Sequence, residues 1–108
     1  ASAQYLEVLG AEERIVSATP TGLIYRFDVE GGLVYLAYGA QHVDVLALNG
    51  TRVGTLNLPV TRVTDVAVSH RHNLFCCIAL TDGDLHCGRL VRTVDGLPKR
   101  VESLRLVF

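Results

Sequence analysis

Tryptophan and methionine are absent from this chain, and aromatic residues make up only 6% of it. Charge of one sign is lacking too: ten basic residues stand against eleven acidic ones, for a net charge of −1. A nucleic-acid footprint normally shows as a basic stripe. The densest basic stretch here, Arg89, Arg92, Lys99, Arg100 and Arg105, is broken by Asp95 and Glu102 and reads as a solvated face. No apolar run approaches the ~20 residues that a membrane-spanning helix needs. The first residues, ASAQYLEVLG, have neither the basic start nor the long apolar stretch of a signal peptide. There is no Cys-x-x-Cys pair and no glycine-rich loop that would cradle phosphate. These absences argue against nucleic acid, membrane and nucleotide as partners, and no cofactor is implied.

What is present is apolar residue in quantity, 49% hydrophobic against 19% charged over 108 residues. Such a chain is not disordered, and the surplus points to apolar surface that meets something else. Its punctuation is that of β-structure. Glu-Gly-Gly at 30–32, Asn-Gly at 49–50 and Asp-Gly at 82–83 separate apolar runs, and two-residue type I′ turns favour these pairs because both central residues need positive φ. Pro20, Pro59 and Pro98 fall between runs. Strands are expected near 4–9, 13–19, 23–29, 33–39, 42–48, 51–58, 63–69, 74–80, 84–91 and 101–107, with 92–100 a weaker strand or a loop. A short helix across 2–13 is the minority reading, because Tyr5, Leu6 and Leu9 can share a helix face. The runs LVYLAY and LFCCIAL are continuously apolar and read as strands buried on both faces. At 42–45 the chain alternates, with Val43 and Val45 on one side and His42 and Asp44 on a wetter one. The fold class is therefore all-β, an antiparallel meander of short strands.

The chain also repeats itself. LEVLGAEERIV is similar to VDVLALNGTRV about 37 residues on, and the stretch from Leu23 to Val45 matches that from Val63 to Cys87 at an offset of about 41. A period near 40 with four short strands resembles the WD-repeat family of β-propellers. The resemblance covers nearly the whole chain, with Asp82 in the turn TDGD and the segment VDVLALNG at positions where the family places its Asp and its Trp-Asp ending. The family's Trp and Gly-His dipeptide are missing, so the likeness is to architecture and period. It implies two outer strands of one blade (4–19), blade-like units at about 22–59 and 62–100, and the first strand of a third. Such a set cannot close a ring, so residues 1–108 are expected to be one all-β unit within a longer propeller, or one that assembles with copies of itself. A β-sandwich or barrel of about ten strands is the alternative.

Chemistry is sparse. Cys76 and Cys87 would lie on one face only diagonally if Asp82-Gly83 formed a two-residue turn, about 7–8 Å apart and beyond disulfide reach. Three reduced, buried thiols and hence an intracellular compartment follow. His70 and His72 are two apart, and Cys77 and His86 can share a face, but nothing orders them into a four-ligand zinc site. Ser69 beside His70 is not a triad, and Glu12-Glu13 reads as a solvated turn. Asn49-Gly50-Thr51 is a formal glycosylation sequon that the turn already explains. Tyr25, Tyr35 and Tyr38 read as core. No catalytic, cofactor or metal residue is assigned. Propeller partners bind at loops and rims, which selects His70, Arg71 and His72 at one rim, and His42 with Gln41, Asp82 and Asp84 at the opposite one. The resemblance implies a non-catalytic scaffold for a protein or peptide partner. The rivals are a ring-forming lectin-like domain and a small metal-dependent enzyme on a β-sandwich.

Overall fold

Within each sheet, every strand pairs antiparallel with the one before it. The computed structural model describes residues 4–7, 14–17, 26–80 and 82–107, with side chains from Phe27 onward. Ten strands follow in order: β1 (Gln4–Glu7), β2 (Arg14–Ser17), β3 (Arg26–Glu30), β4 (Leu33–Ala37), β5 (His42–Ala47), β6 (Arg52–Asn57), β7 (Val63–Ser69), β8 (Leu74–Ala79), β9 (Leu85–Arg92) and β10 (Pro98–Leu106). β1 pairs with β2; β3-β4-β5-β6 form one four-stranded sheet, and β7-β8-β9-β10 a second, each in simple meander order. The protein is all-β among the described residues. β1 occupies part of the stretch that could have been helical. Tyr25, Pro20 and the Glu12-Glu13 turn lie outside the described residues.

The two sheets stack face to face, with β3 and β4 against β7, and β6 against β10. Leu33, Tyr35, Val43, Val45 and Leu56 of the first sheet share one core with Val63, Val66, Phe75, Cys77 and Leu90 of the second. A smaller cluster of Val34, Leu36 and Leu46 fills the far face of the first sheet. β4 is thus buried on both sides, as its unbroken apolar run requires. β8 is not. Phe75, Cys77 and Ala79 point into the core, while Leu74 on the alternate face is 42% exposed. Apolarity alone therefore over-assigned its second face. A polar tie also crosses the stack: Asp28 Oδ2 accepts the Val68 backbone N–H at 2.7 Å, and Oδ1 accepts that of Val29 at 3.0 Å.

The turns depart from expectation in a consistent way. The type I′ geometry falls to Gly31-Gly32, both at positive φ, between the facing pair Glu30 and Leu33. At Asn49-Gly50 only the glycine has positive φ. There Gly50 N–H donates to Ala47 O, Ala47 N–H to Thr51 O, and a register shift follows in the strand pair. At Asp82-Gly83 the turn closes wider, through Gly83 N–H to Ala79 O, so that Leu85 faces Ile78 and Cys87 faces Cys76. The pairing has moved by two residues. The two cysteines stand directly opposite with Cα atoms 4.1 Å apart and form a disulfide. This corrects the expectation of three reduced thiols; only Cys77 is free, and it is buried.

The last strand is a second correction. Residues 98–106 are the fourth strand of the second sheet, paired with β9, and not the start of a third unit. β10 bulges between Pro98 and Arg100 and between Glu102 and Arg105, with Ser103 at φ 56°. The second bulge settles onto Gly88, where an added Cβ would come within 2.7 Å of Glu102 O.

Two outcomes follow. Asp28→Ala leaves the buried Val68 N–H unpaired and is expected to lower stability by about 1–3 kcal/mol. Asp28→Asn, which keeps one acceptor oxygen, should cost less; urea midpoints at unchanged slope measure both. Thiol titration without reductant should find one group in the unfolded chain and almost none in the native one, because Cys77 is 1% exposed and burial pushes its thiol up to about 11. Full reduction should raise the count to three. Three thiols without reductant would contradict the bridge.

Candidate functional site

Antiparallel meanders put alternate turns at alternate ends of a sheet. Turns 31–32 and 48–51 of the first sheet therefore share one end, as do turns 70–73 and 93–97 of the second. The two sheets meet there in register, because His70 Nδ1 lies 2.6 Å from where a Cβ on Gly31 would stand. The opposite end collects the connections 38–41, 58–62 and 80–84, laced together by Gly39 N–H to Val63 O, Val63 N–H to Ala40 O and Leu58 N–H to Gln41 O. His70, Arg71 and His72 thus sit at one end, and His42, Gln41, Asp82 and Asp84 at the other. They form two groups and do not converge.

The groups also differ in what their side chains are free to do. Arg71 and His72 are exposed, but His70 is half-buried and fixed. The hydroxyl of the fully buried Tyr35 lies 2.7 Å from His70 Nε2. Burial holds that phenol well above its usual range, so it stays protonated and donates to Nε2. Burial, aided by the nearby Arg92 guanidinium, lowers the His70 pKa against the opposing pull of Glu30. The ring is therefore neutral and acts as an acceptor wedge under its turn.

Arg92 completes the buttress. Its Nη2 donates to His70 O at 3.3 Å and to Asn73 Oδ1 at 3.4 Å. Its Nε is buried without a partner among the described residues. Asn73, at φ 49°, closes the turn in a conformation that Asn tolerates. Beside this frame lies an open polar cleft of about 420 Å³, lined by Asn73, Arg89, Arg92, Thr93, Val94 and Gly96 among others. Val94, at its border, is fully exposed. Arg92 and Asn73 escaped sequence reasoning because they belong to different strands and turns, and only the sheet register brings them together.

A second polar cluster lies on the far face of the first sheet. Asp44 is 1% exposed, so the face read as wet is closed. Its carboxylate accepts Tyr38 OH at 2.8 Å and Thr55 Oγ1 at 3.1 Å, with Arg52 Nη2 at 3.5 Å. His42 Nε2 contacts the same Tyr38 hydroxyl. Acid, imidazole and hydroxyl do converge here. Yet burial and the Asp44 carboxylate raise the Tyr38 pKa, so the phenol remains a protonated donor. The carboxylate is held by its own partners. The cluster is a satisfied buried network of the kind that fixes a strand in place. The legible signal was an Asp set among aliphatic strand residues.

The chain matches no protein-family model and no curated protein. At the remaining candidate positions, Asp82 Oδ1 accepts the Asp84 backbone N–H at 2.8 Å, which lowers the Asp82 pKa, with His86 assisting. Asn49 is exposed, and its Oδ1 accepts the Thr51 N–H. Cys77 and His86 do face each other across β8 and β9. Among the described residues no three His, Cys, Asp or Glu side chains group as a metal site.

The His70 shift carries a pH dependence. Its folded pKa is depressed, so the unfolded chain binds the proton first as pH falls. The contribution of His70 to stability is complete above its unfolded value of ~6.5 and is lost as pH falls through the lower folded value. Melting temperature should drop across that window in the wild type, and His70→Gln should flatten the slope. An unchanged slope in the variant would place the titration elsewhere.

Proposed function

We propose that the chain is a non-catalytic interaction module, a segment of a WD-repeat-like β-propeller that binds a protein or peptide at the end carrying turns 31–32, 48–51, 70–73 and 93–97. Two successive four-stranded meanders, stacked first strand on first and fourth on fourth, support the propeller reading, since consecutive blades pack in that manner. The observation that carries the site is the 70–73 turn, pinned by Tyr35 and Arg92, beside an open polar cleft with exposed Val94 at its border. A rigid frame with adaptable groups at its edge binds at low ordering cost. Arg71 and His72 project from that frame, and the Arg92 guanidinium has no carboxylate within salt-bridge distance among the described residues. Together they favour an acidic segment with an apolar anchor.

The intracellular setting rested on reduced thiols, and the Cys76–Cys87 bridge removes that support. Among the described residues no helix is long and apolar enough to cross a membrane. The bridge favours the second reading, a ring-forming lectin-like domain in an oxidising compartment.

Selection of a random peptide library on the folded chain tests the proposal. Selected peptides should be rich in Asp and Glu, and Arg71→Glu and Val94→Asp should each weaken binding by ~10-fold or more, the scale of a hot-spot loss, with the fold intact. Peptides indifferent to both changes but sensitive to Gln41→Ala or Asp84→Lys would move the site to the opposite end. Binding to a glycan array with no peptide selected would favour the second reading.

A further inference from the structure

Two separate observations bear on the turn between β5 and β6. The first is local. Asn49-Gly50-Thr51 has the order of an N-glycosylation acceptor, and no other asparagine of the chain stands two residues before a Ser or Thr. Asn49 and Thr51 are both exposed, and Gly50 places no side chain between them. The turn is held by Gly50 N–H to Ala47 O, by Ala47 N–H to Thr51 O, and by Asn49 Oδ1, which accepts the Thr51 N–H at 2.9 Å. These bonds use only the oxygen of the Asn49 amide, and Nδ2 is left over. The second observation is remote. Cys76 and Cys87 face each other and form a disulfide, a bond that persists in secreted chains and is rare in the cytosol. The third cysteine, Cys77, is held in the core at 1% exposure, out of reach of stray bridges. An odd thiol is therefore no obstacle to an oxidising setting.

We propose that Asn49 is a modification site, the acceptor of an N-linked glycan. In the transfer, Asn49 Nδ2 attacks the anomeric carbon of an oligosaccharide that the cell's transferase presents on a lipid diphosphate. The N–C bond forms as the C–O bond to the diphosphate breaks. Nδ2 gives up one proton to a base of the transferase, the lipid diphosphate leaves, and nothing is oxidised or reduced. The Thr51 hydroxyl is the group that the acceptor pattern requires two residues on. The product keeps Oδ1 as an acceptor, so the bond to the Thr51 N–H survives and the turn does not have to be remade. The glycan is a bulky, solubilising group, and it would stand at the end proposed to bind a peptide. β6 and β10 pack together and both start from that end. The glycan would thus border turn 93–97, and a peptide partner would approach from the 70–73 side. The inference does not rest on the peptide reading, and each stands or falls alone.

Peptide mapping of the protein recovered from the cells that make it tests the proposal. Trypsin releases residues 27–52 and 72–89 as single peptides. Glycan-releasing amidase in heavy-oxygen water should convert Asn49 to aspartate carrying the label, while a digest without amidase, which reads spontaneous deamidation at Asn-Gly, should not. In the same sample, peptide 72–89 should alkylate at one cysteine without reductant. On expression through a secretory route, Asn49→Gln and Thr51→Ala should lose the glycan entirely and Thr51→Ser should keep it, all with the thiol count unchanged. Thr51→Ala retains Asn49 and its turn bond, so it reports even where Asn49→Gln disturbs the hairpin. An unmodified Asn49 in the recovered protein overturns the inference, whether the disulfide is formed or all three cysteines alkylate. Label that appears equally without amidase, or a glycan that persists in Thr51→Ala, overturns it as well.

Discussion

Everything positioned in this molecule depends on the burial of one sheet face against another. A strand presents alternate residues to opposite sides, so once Tyr35 and Phe75 enter a common core, the orientation of every neighbour on β4 and β8 is fixed. Stacking in matched order then brings the turns of both sheets to the same two ends. The Tyr35 hydroxyl is the only polar part of that side chain, and inside the core it needs a partner. It finds His70, and His70 in turn seats the 70–73 turn. The rigidity of the proposed binding end is thus a by-product of how a buried phenol is satisfied.

The sheet stack also accounts for the placement of charge. Asp44 is the carboxylate drawn furthest in among the described residues, and it and the part-buried Asp28 are each held by donors from neighbouring strands or the opposing sheet. In both, the carboxylate oxygens accept hydrogen bonds from the protein itself. The side chains at liberty are in the turns, among them Arg71, His72 and Val94.

Much of the fold was legible because strands announce themselves locally. The apolar run at 33–38, the alternation at 42–45 and the glycine-bearing breaks located the strands to within a few residues, the last of them assigned to the wrong unit, and the placement of the candidate rim residues at opposite ends followed from counting reversals. What escaped depended on turn geometry. Asn-Gly and Asp-Gly suggest a tight two-residue turn, but Asn49 stays at negative φ and both loops close wider. A shift of two residues preserves which face a side chain occupies and changes only its partner. Periodicity is blind to such a shift, yet it decides whether Cys76 and Cys87 meet. The buttress of Arg92 and Asn73 was hidden for a related reason, since it spans two turns whose proximity is a property of register. At β10, Pro98 read as punctuation between runs, whereas it is the first residue of an edge strand, a place where its missing N–H is tolerated.

The two irregularities of β10 bear on how the molecule behaves in a crowded solution. A smooth border strand of nine residues would be a template on which extended segments of other chains add their backbones, the first step towards fibrils. Here the outer strand is kinked twice, carries Lys99, Arg100 and Arg105, and is pressed at Ser103 into a left-handed turn over Gly88. Incoming backbone cannot keep its ladder through such breaks. The border is thereby guarded against aggregation, and Gly88, an unremarked residue in the sequence, is the one that lets the guard lie flat.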